Sequence, residues 1–220
     1  MKFRRKSQEP ADGAVDSALG SEVETTAPEE PAEASATGPW DIDDVVDLDE
    51  VERIDLGSLL LPAVERLDIQ LQVDEATESV QAVMLAGAEG AVELRAFAAP
   101  RGDDLWEEVR PRIAAEYAQR GGTASEREGR YGTELVCQLT VRTDDGRTAT
   151  QPSRVVGING SRWMLRAPLL GRPAVEPDSS GPWDQAIETV VVRRGAQAMP
   201  AGAELPLTMP PRDQLVRREG

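Results

Sequence analysis

The sequence predicts an α+β fold: a mainly antiparallel sheet of six to eight strands with two helices packed on one face. Three observations carry that prediction. Runs of strict apolar–polar alternation recur through the middle of the chain, glycine-rich turns separate them, and only two stretches repeat apolar residues at helical spacing. A single domain is expected over residues 53–195, flanked by tails at 1–52 and 196–220.

Order is expected to begin at "RIDLGSLLLP", Arg53 to Pro62. Leu67, Ile69, Leu71 and Val73 then alternate with Asp68, Gln70 and Gln72, which marks a strand with one buried face. Val80–Ala86 and Ala91–Ala98 form a hairpin around Gly87-Ala88-Glu89-Gly90. A helix follows. Asp104 and Glu107 have capping-box spacing, Leu105, Val109, Ile113 and Tyr117 recur every four residues, and Arg120-Gly121-Gly122 stops it. Pro111 removes a backbone donor and predicts a late start or a kink.

Thr133–Thr143 alternates again, with Leu135, Cys137, Leu139 and Val141 on one side. Asp144-Asp145-Gly146-Arg147 turns the chain, and it returns from Thr148. Asn159-Gly160 predicts a two-residue hairpin in which Val156, Ile158, Trp163 and Leu165 face the core. Gly157, Arg162, Met164 and Arg166 then share the outer face. Ser180-Gly181-Pro182 reads as a helix start, with Trp183, Ile187, Val190 and Val191 on one face and Gly195 as the stop.

The flanks differ in composition. Residues 1–52 are rich in Ala, Glu, Pro, Ser and Thr and read as a disordered acidic tail. Its tip is basic, with Lys2, Arg4, Arg5 and Lys6 around Phe3, and predicts at most weak contact with anionic lipid. From Asp41 to Glu52 the chain carries acids and no base. Residues 196–220 read as an extended or disordered tail.

The tetrapeptide GPWD occurs at Gly38–Asp41 and again at Gly181–Asp184. The second copy opens a helix. The first lies between the tail and the acidic run, and the sequences that follow the two do not match, so no longer repeat is indicated. Trp40 is the candidate anchor that pins the acidic segment onto the domain, since burying an indole gives about 2–3 kcal/mol.

Composition narrows the chemistry. The 220 residues carry a net charge of -16, which disfavours binding to nucleic-acid phosphates. There is no histidine, so the usual proton shuttle and the commonest metal ligand are missing. The single cysteine, Cys137, lies on an apolar strand face and is read as structural, as are Trp163 and Trp183. Asp103-Asp104 is explained by capping, and the acidic run lacks the spacing of a calcium loop. No phosphate loop, dinucleotide fingerprint or nucleophile elbow is present; no catalytic residue, metal or cofactor is assigned.

The candidate partner-binding face is Arg162, Met164 and Arg166, an arginine pair on a strand suited to an acidic partner or to the chain's own segment 41–52. The expected function is a noncatalytic protein-binding or adaptor module. Alternatives are an enzyme working through Asp, Glu and Arg on a small polar substrate, and a membrane-peripheral or secretion-associated factor using the basic tip. With no apolar run long enough to span a bilayer and no signal-peptide core, a cytoplasmic location is expected.

The stretches "GPWD", "RIDLGSLLLP", "LRAFAAPRGDDLWEEVR", "QRGGTASEREGRYGTEL" and "GSRWMLRAPLLGRPAV" together resemble an actinobacterial family of unknown function, domain-of-unknown-function family 3710, over about residues 38 to 200. The resemblance implies an actinobacterial cytoplasmic protein and brings no catalytic residues with it. The order of elements also looks like a Mog1/PsbP-type sandwich.

Overall fold

The alternating runs of the sequence become the strands of a wide sheet, seen in a computed structural model that describes residues 38–210 except 49, 75, 77–78 and 143–145. The basic tip, the turn residues Asp144 and Asp145, and residues 211–220 lie outside the described residues. The strands are β1 (Trp40–Asp41), β2 (Arg53–Asp55), β3 (Leu59–Pro62), β4 (Asp68–Asp74), β5 (Ser79–Gly87) and β6 (Gly90–Ala98). Helix α1 (Leu105–Gln119) follows, then β7 (Thr123–Gly129), β8 (Gly132–Arg142), β9 (Thr148–Asn159) and β10 (Trp163–Gly171). The chain continues through α2 (Arg172–Val175) and α3 (Gly181–Thr189) to β11 (Val191–Val192).

Seven strands form one antiparallel sheet in the order β4-β5-β6-β10-β9-β8-β7. A second sheet, β1-β11-β3-β2, packs against it, so the chain folds as two sheets rather than one. Val83, Leu85, Leu94, Val156, Leu165 and Leu169 of the large sheet meet Leu59 and Leu61 of β3 and Trp183 and Ile187 of α3 in the main core. Each such side chain contributes roughly 1.5–3 kcal/mol on burial. The opposite face of the large sheet buries Leu135, Cys137, Val155 and Met164 under Leu105, Trp106 and Ile113 of α1.

The two long helices therefore pack on opposite faces of the sheet, a correction to the expectation of two helices on one face. The reason lies in the strands. Val155-Val156 and Trp163-Met164-Leu165 are continuous apolar runs, and such strands are covered on both sides.

Helix α1 starts where its cap predicts: the Asp104 carboxylate accepts from the Glu107 N–H at 2.9 Å. Pro111 lies inside the helix on its exposed side and does not delay its start. Gly121, at φ 76°, ends it. Gly157 lets α1 approach β9, because a Cβ there would stand 2.1 Å from the Trp106 ring.

The Asn159-Gly160 hairpin is longer than predicted. Asn159 pairs with Met164 and Ile158 with Leu165, and the Gly160 N–H bonds the Trp163 carbonyl at 2.7 Å. Asn159 instead serves α1: its amide donates to Asp104 at 2.6 Å and its carbonyl accepts the Trp106 N–H at 3.3 Å. The shift is an even number of residues, so the side chains within β9 and β10 keep their predicted faces, while Arg162 falls in the loop and leaves the face it was expected to share with Met164 and Arg166.

Two further boundaries differ. Helix α3 ends at Thr189, because Val190-Val191-Val192 is a β-branched run that leaves the helix and supplies β11. The ordered chain also exceeds 53–195 at both ends. The N–H of Trp40 bonds the Val190 carbonyl at 3.0 Å, and β1 runs parallel to β11. At the other end, Leu205 is buried, its N–H bonds Ala96, and Leu207 bridges both Gly57 and Val80.

Candidate functional site

Strand β10 carries two of the candidate binding residues, Met164 and Arg166, on the side that faces α1. Met164 is 1% exposed, so the predicted open face is a covered one. Between α1 and the sheet remains a cleft of about 250 Å3 with Phe97, Leu105, Val109, Ile113 and Met164 as its apolar walls. Arg166 joins them, and Arg112 and Glu116 of α1 stand at the cleft as well.

Arg166 is half-buried, with its guanidinium carbon 4.9 Å from the centre of the Phe97 ring. That contact supplies a cation–π attraction but no hydrogen-bond acceptor. The Nε of Arg166 is sealed from water and has no hydrogen-bond partner. Register explains why. Arg166 stands directly opposite Arg95 on β6. Arg95 takes the available acids, bonding Glu93 and Glu204, the latter at 3.4 Å. Burial first, then the like charge of Arg95, pulls the Arg166 guanidinium below the usual arginine range.

Arg162 is half-buried in the hairpin loop rather than on β10, near the N-terminal strap formed by Trp40 and Asp41. Beside it the Asp41 carboxylate accepts from Ser161 Oγ at 2.5 Å and from Trp163 Nε1 at 2.9 Å. Burial opposes ionisation of Asp41. The bonds from Ser161, the Asp43 N–H and Trp163, with the nearby Arg162 charge, outweigh it and hold the acid below its ordinary range. Trp40 itself is half-buried, so the strap is held by strand pairing and by the Asp41 carboxylate as well as by the indole. Beyond Asp41 the acidic run turns outward: Asp43, Asp44 and Glu50 are exposed, and Val46 is fully so.

A second cleft, of about 700 Å3, opens beside β7 and α3. At its base Arg154 of β9 and Glu134 of β8 are 2% and 1% exposed and 3.2 Å apart. Every nitrogen of Arg154 has a partner: Nε bonds the Pro173 carbonyl at 3.1 Å, Nη1 bonds Glu134, and Nη2 reaches Ser180 at 3.4 Å. Arg127 adds a second guanidinium to Glu134. Asp184, the acid of the second GPWD, accepts from Ser180 and lies 3.8 Å from Arg154. Both GPWD copies thus deliver a buried carboxylate, each 8% exposed, to a different part of the fold. Burial, with the charges of Asp184 and Glu188, pushes the phenol of nearby Tyr131 upward.

The sequence reading did not single out Arg154, Glu134 or Asp184. One signal was present: Arg154 precedes a valine run and Glu134 precedes Leu135-Val136, and a charge within an apolar strand asks for a buried partner. Trp163 and Trp183 are buried in the main core. Cys137 is buried under α1, and burial pushes its thiol up to about 11. Among the described residues no group of three or more Cys, Asp or Glu is placed to hold a metal, and no helix is long and apolar enough to cross a membrane.

A crystal structure from Bacteroides thetaiotaomicron VPI-5482 is similar to 65% of this chain at 11% identity, with a TM-score of 0.37. The chain spans 48% of that structure's length. No curated protein matches the sequence. The family model described as "Protein of unknown function (DUF3710)" matches residues 38–215, the stretch that holds β1, both clefts and the C-terminal bridge, and the chain belongs to that family.

Proposed function

We propose that this protein is a noncatalytic binding module that engages another protein at the cleft between α1 and β10, with an anionic group of the partner meeting Arg166. One observation carries the reading: Arg166 is a half-buried cation that has no ion-pair partner among the described residues, at a cleft it shares with Phe97, Val109, Arg112 and Glu116. A desolvated guanidinium favours a charge-assisted bond to a carboxylate. A cytoplasmic location goes with this reading, where the Cys137 thiol stays reduced.

The test compares crosslinked partners of the full chain with those of Arg166→Met and of Val109→Arg, which blocks the cleft. The expected result is that proteins held by the wild type are lost from both variants while their melting temperatures stay near the wild-type value. Retention of the same partners by both variants would defeat the proposal.

The large cleft favours a second reading, an enzyme acting through Glu134 and Asp184 on a small polar substrate, since the two carboxylates line it together. Against it, Glu134 is engaged by Arg127 and Arg154, and Asp184 by Ser180. A membrane-peripheral role would rest on the basic tip, which lies outside the described residues.

A further inference from the structure

We infer that the edge of β11, together with Ser161 and Trp163 of the neighbouring hairpin, is a recognition site for an extended Gly-x-x-Asp segment of a partner chain, and that residues 38–41 occupy it in cis. The site shares no residue with the Arg166 cleft and goes beyond the reading above.

The strap is lightly attached through its backbone. Strand β1 has two residues, lies at the edge of the small sheet, and makes the one parallel pairing among the described residues. Parallel pairs are slightly weaker than antiparallel ones, and two residues bring few bonds. From Asp41 to β2 the described residues form no strand, and Asp43, Asp44 and Val46 are exposed. The strap is thus a short ligand on a tether. Without it β11 becomes the sheet edge, and the Val190 carbonyl, which accepts from the Trp40 N–H at 3.0 Å, is open. Such an edge pairs with a strand from another chain.

Two positions of the strap are read closely. At the fourth, the Asp41 carboxylate accepts from Ser161 Oγ at 2.5 Å and Trp163 Nε1 at 2.9 Å, with the Arg162 charge nearby. Trp163 is 1% exposed, so without an acid there its N–H loses a partner that water does not readily replace. At the first, a Cβ on Gly38 would stand 2.3 Å from the Glu188 carbonyl oxygen, so glycine is required. The second GPWD is the internal control. Gly181 opens α3, a Cβ there would meet nothing within 4 Å, and Asp184 accepts from Ser180 instead. The glycine is needed in the extended copy and not in the helical one. What the β11 edge selects is therefore an extended backbone with Gly and Asp three residues apart.

The experiment uses the full chain and a fluorescein-labelled peptide of residues 38–44, measured by polarisation. In the wild type the tethered strap competes at an effective concentration of roughly millimolar, so binding should be weak. Gly38→Ala and Asp41→Asn, made separately in the chain, each loosen the strap and leave the site intact. Each should tighten peptide binding about 10–100-fold, the range for a hydrogen bond to a charged group. The same changes made in the peptide should abolish binding. Adding Ser161→Ala to the Gly38→Ala chain should weaken it, and adding Arg166→Met should not. In the unmodified chain, millimolar peptide should speed hydrogen exchange of the Trp40 N–H, a readout that needs no variant to fold.

A scrambled peptide bound as tightly, equal binding by the wild type and both loosened chains, or no binding by any of them overturns the inference. So does Trp40 exchange that the peptide leaves unchanged. Binding lost through Arg166→Met and kept with Ser161→Ala would move the peptide to the α1–β10 cleft, which overturns this site and leaves the earlier reading standing.

Discussion

Two arginines, Arg154 on β9 and Arg166 on β10, lie on neighbouring strands and meet opposite fates. Arg154 is almost fully buried, and each of its nitrogens has a partner, two of those partners being residues of the α2–α3 region. Arg166 is less buried, yet its Nε has none. A guanidinium that is fully satisfied inside a protein holds elements together. One that is desolvated and short of acceptors costs folding energy and is better explained by something that binds it. The more buried charge is thus the structural one, and the half-buried charge is the candidate for function.

The largest test of that contrast is stability. Arg154→Met strips Glu134 of a buried partner and is expected to cost about 3–5 kcal/mol in urea unfolding. Arg166→Met removes a poorly compensated charge and is expected to change stability by less than about 1 kcal/mol in either direction. Equal losses would erase the distinction. Next in size is the seat of α1, the helix that closes the Arg166 cleft. Gly157→Ala places a methyl against the Trp106 ring and should cost roughly 1–3 kcal/mol, the range for overpacking a core.

A smaller effect concerns the strap. Asp41 is held below its ordinary value near 3.8 when folded, so its contribution is complete above that value and fades as pH falls through the folded pKa. Asp41→Asn should therefore flatten the acid limb of the stability–pH curve, with little difference between the two curves once the Asp41 carboxylate is fully protonated. An unchanged acid limb would show that the carboxylate does not hold the strap. The smallest expected effect is at Cys137. With its thiol pushed up to about 11 and buried, it should resist a disulfide reagent at pH 8 and react fully in urea.

Much of the large sheet was legible in the sequence because its strands alternate or run apolar between glycine turns. Leu67–Val73 and the hairpin around Ala88-Glu89 read directly. Strand β7 did not, since Thr-Ala-Ser-Glu-Arg-Glu-Gly has no apolar period and lies at the sheet edge, paired to β8 alone. The small sheet was hidden for another reason: β1 and β11 have two residues each, too few for any period to show. At the site, Met164 and Arg166 were found, but on a face taken as open. Phe97 and Met164, paired across strands β6 and β10, were the apolar sign that a helix covers it. The unpartnered Arg166 Nε was not legible at all. It follows from the cross-strand register that sets Arg166 against Arg95, and register is a tertiary fact.

The bridge formed by Leu207, which reaches both Gly57 and Val80, has a consequence for synthesis. Asp41 waits for Trp163, 122 residues further on, and Gly57 waits for a residue later still. The Asp41 contact cannot form before Trp163 has been made, nor the Gly57 bridge before Leu207. The nascent chain therefore carries both seams loose through most of its synthesis, and the bridge to Leu207 is the later one to close.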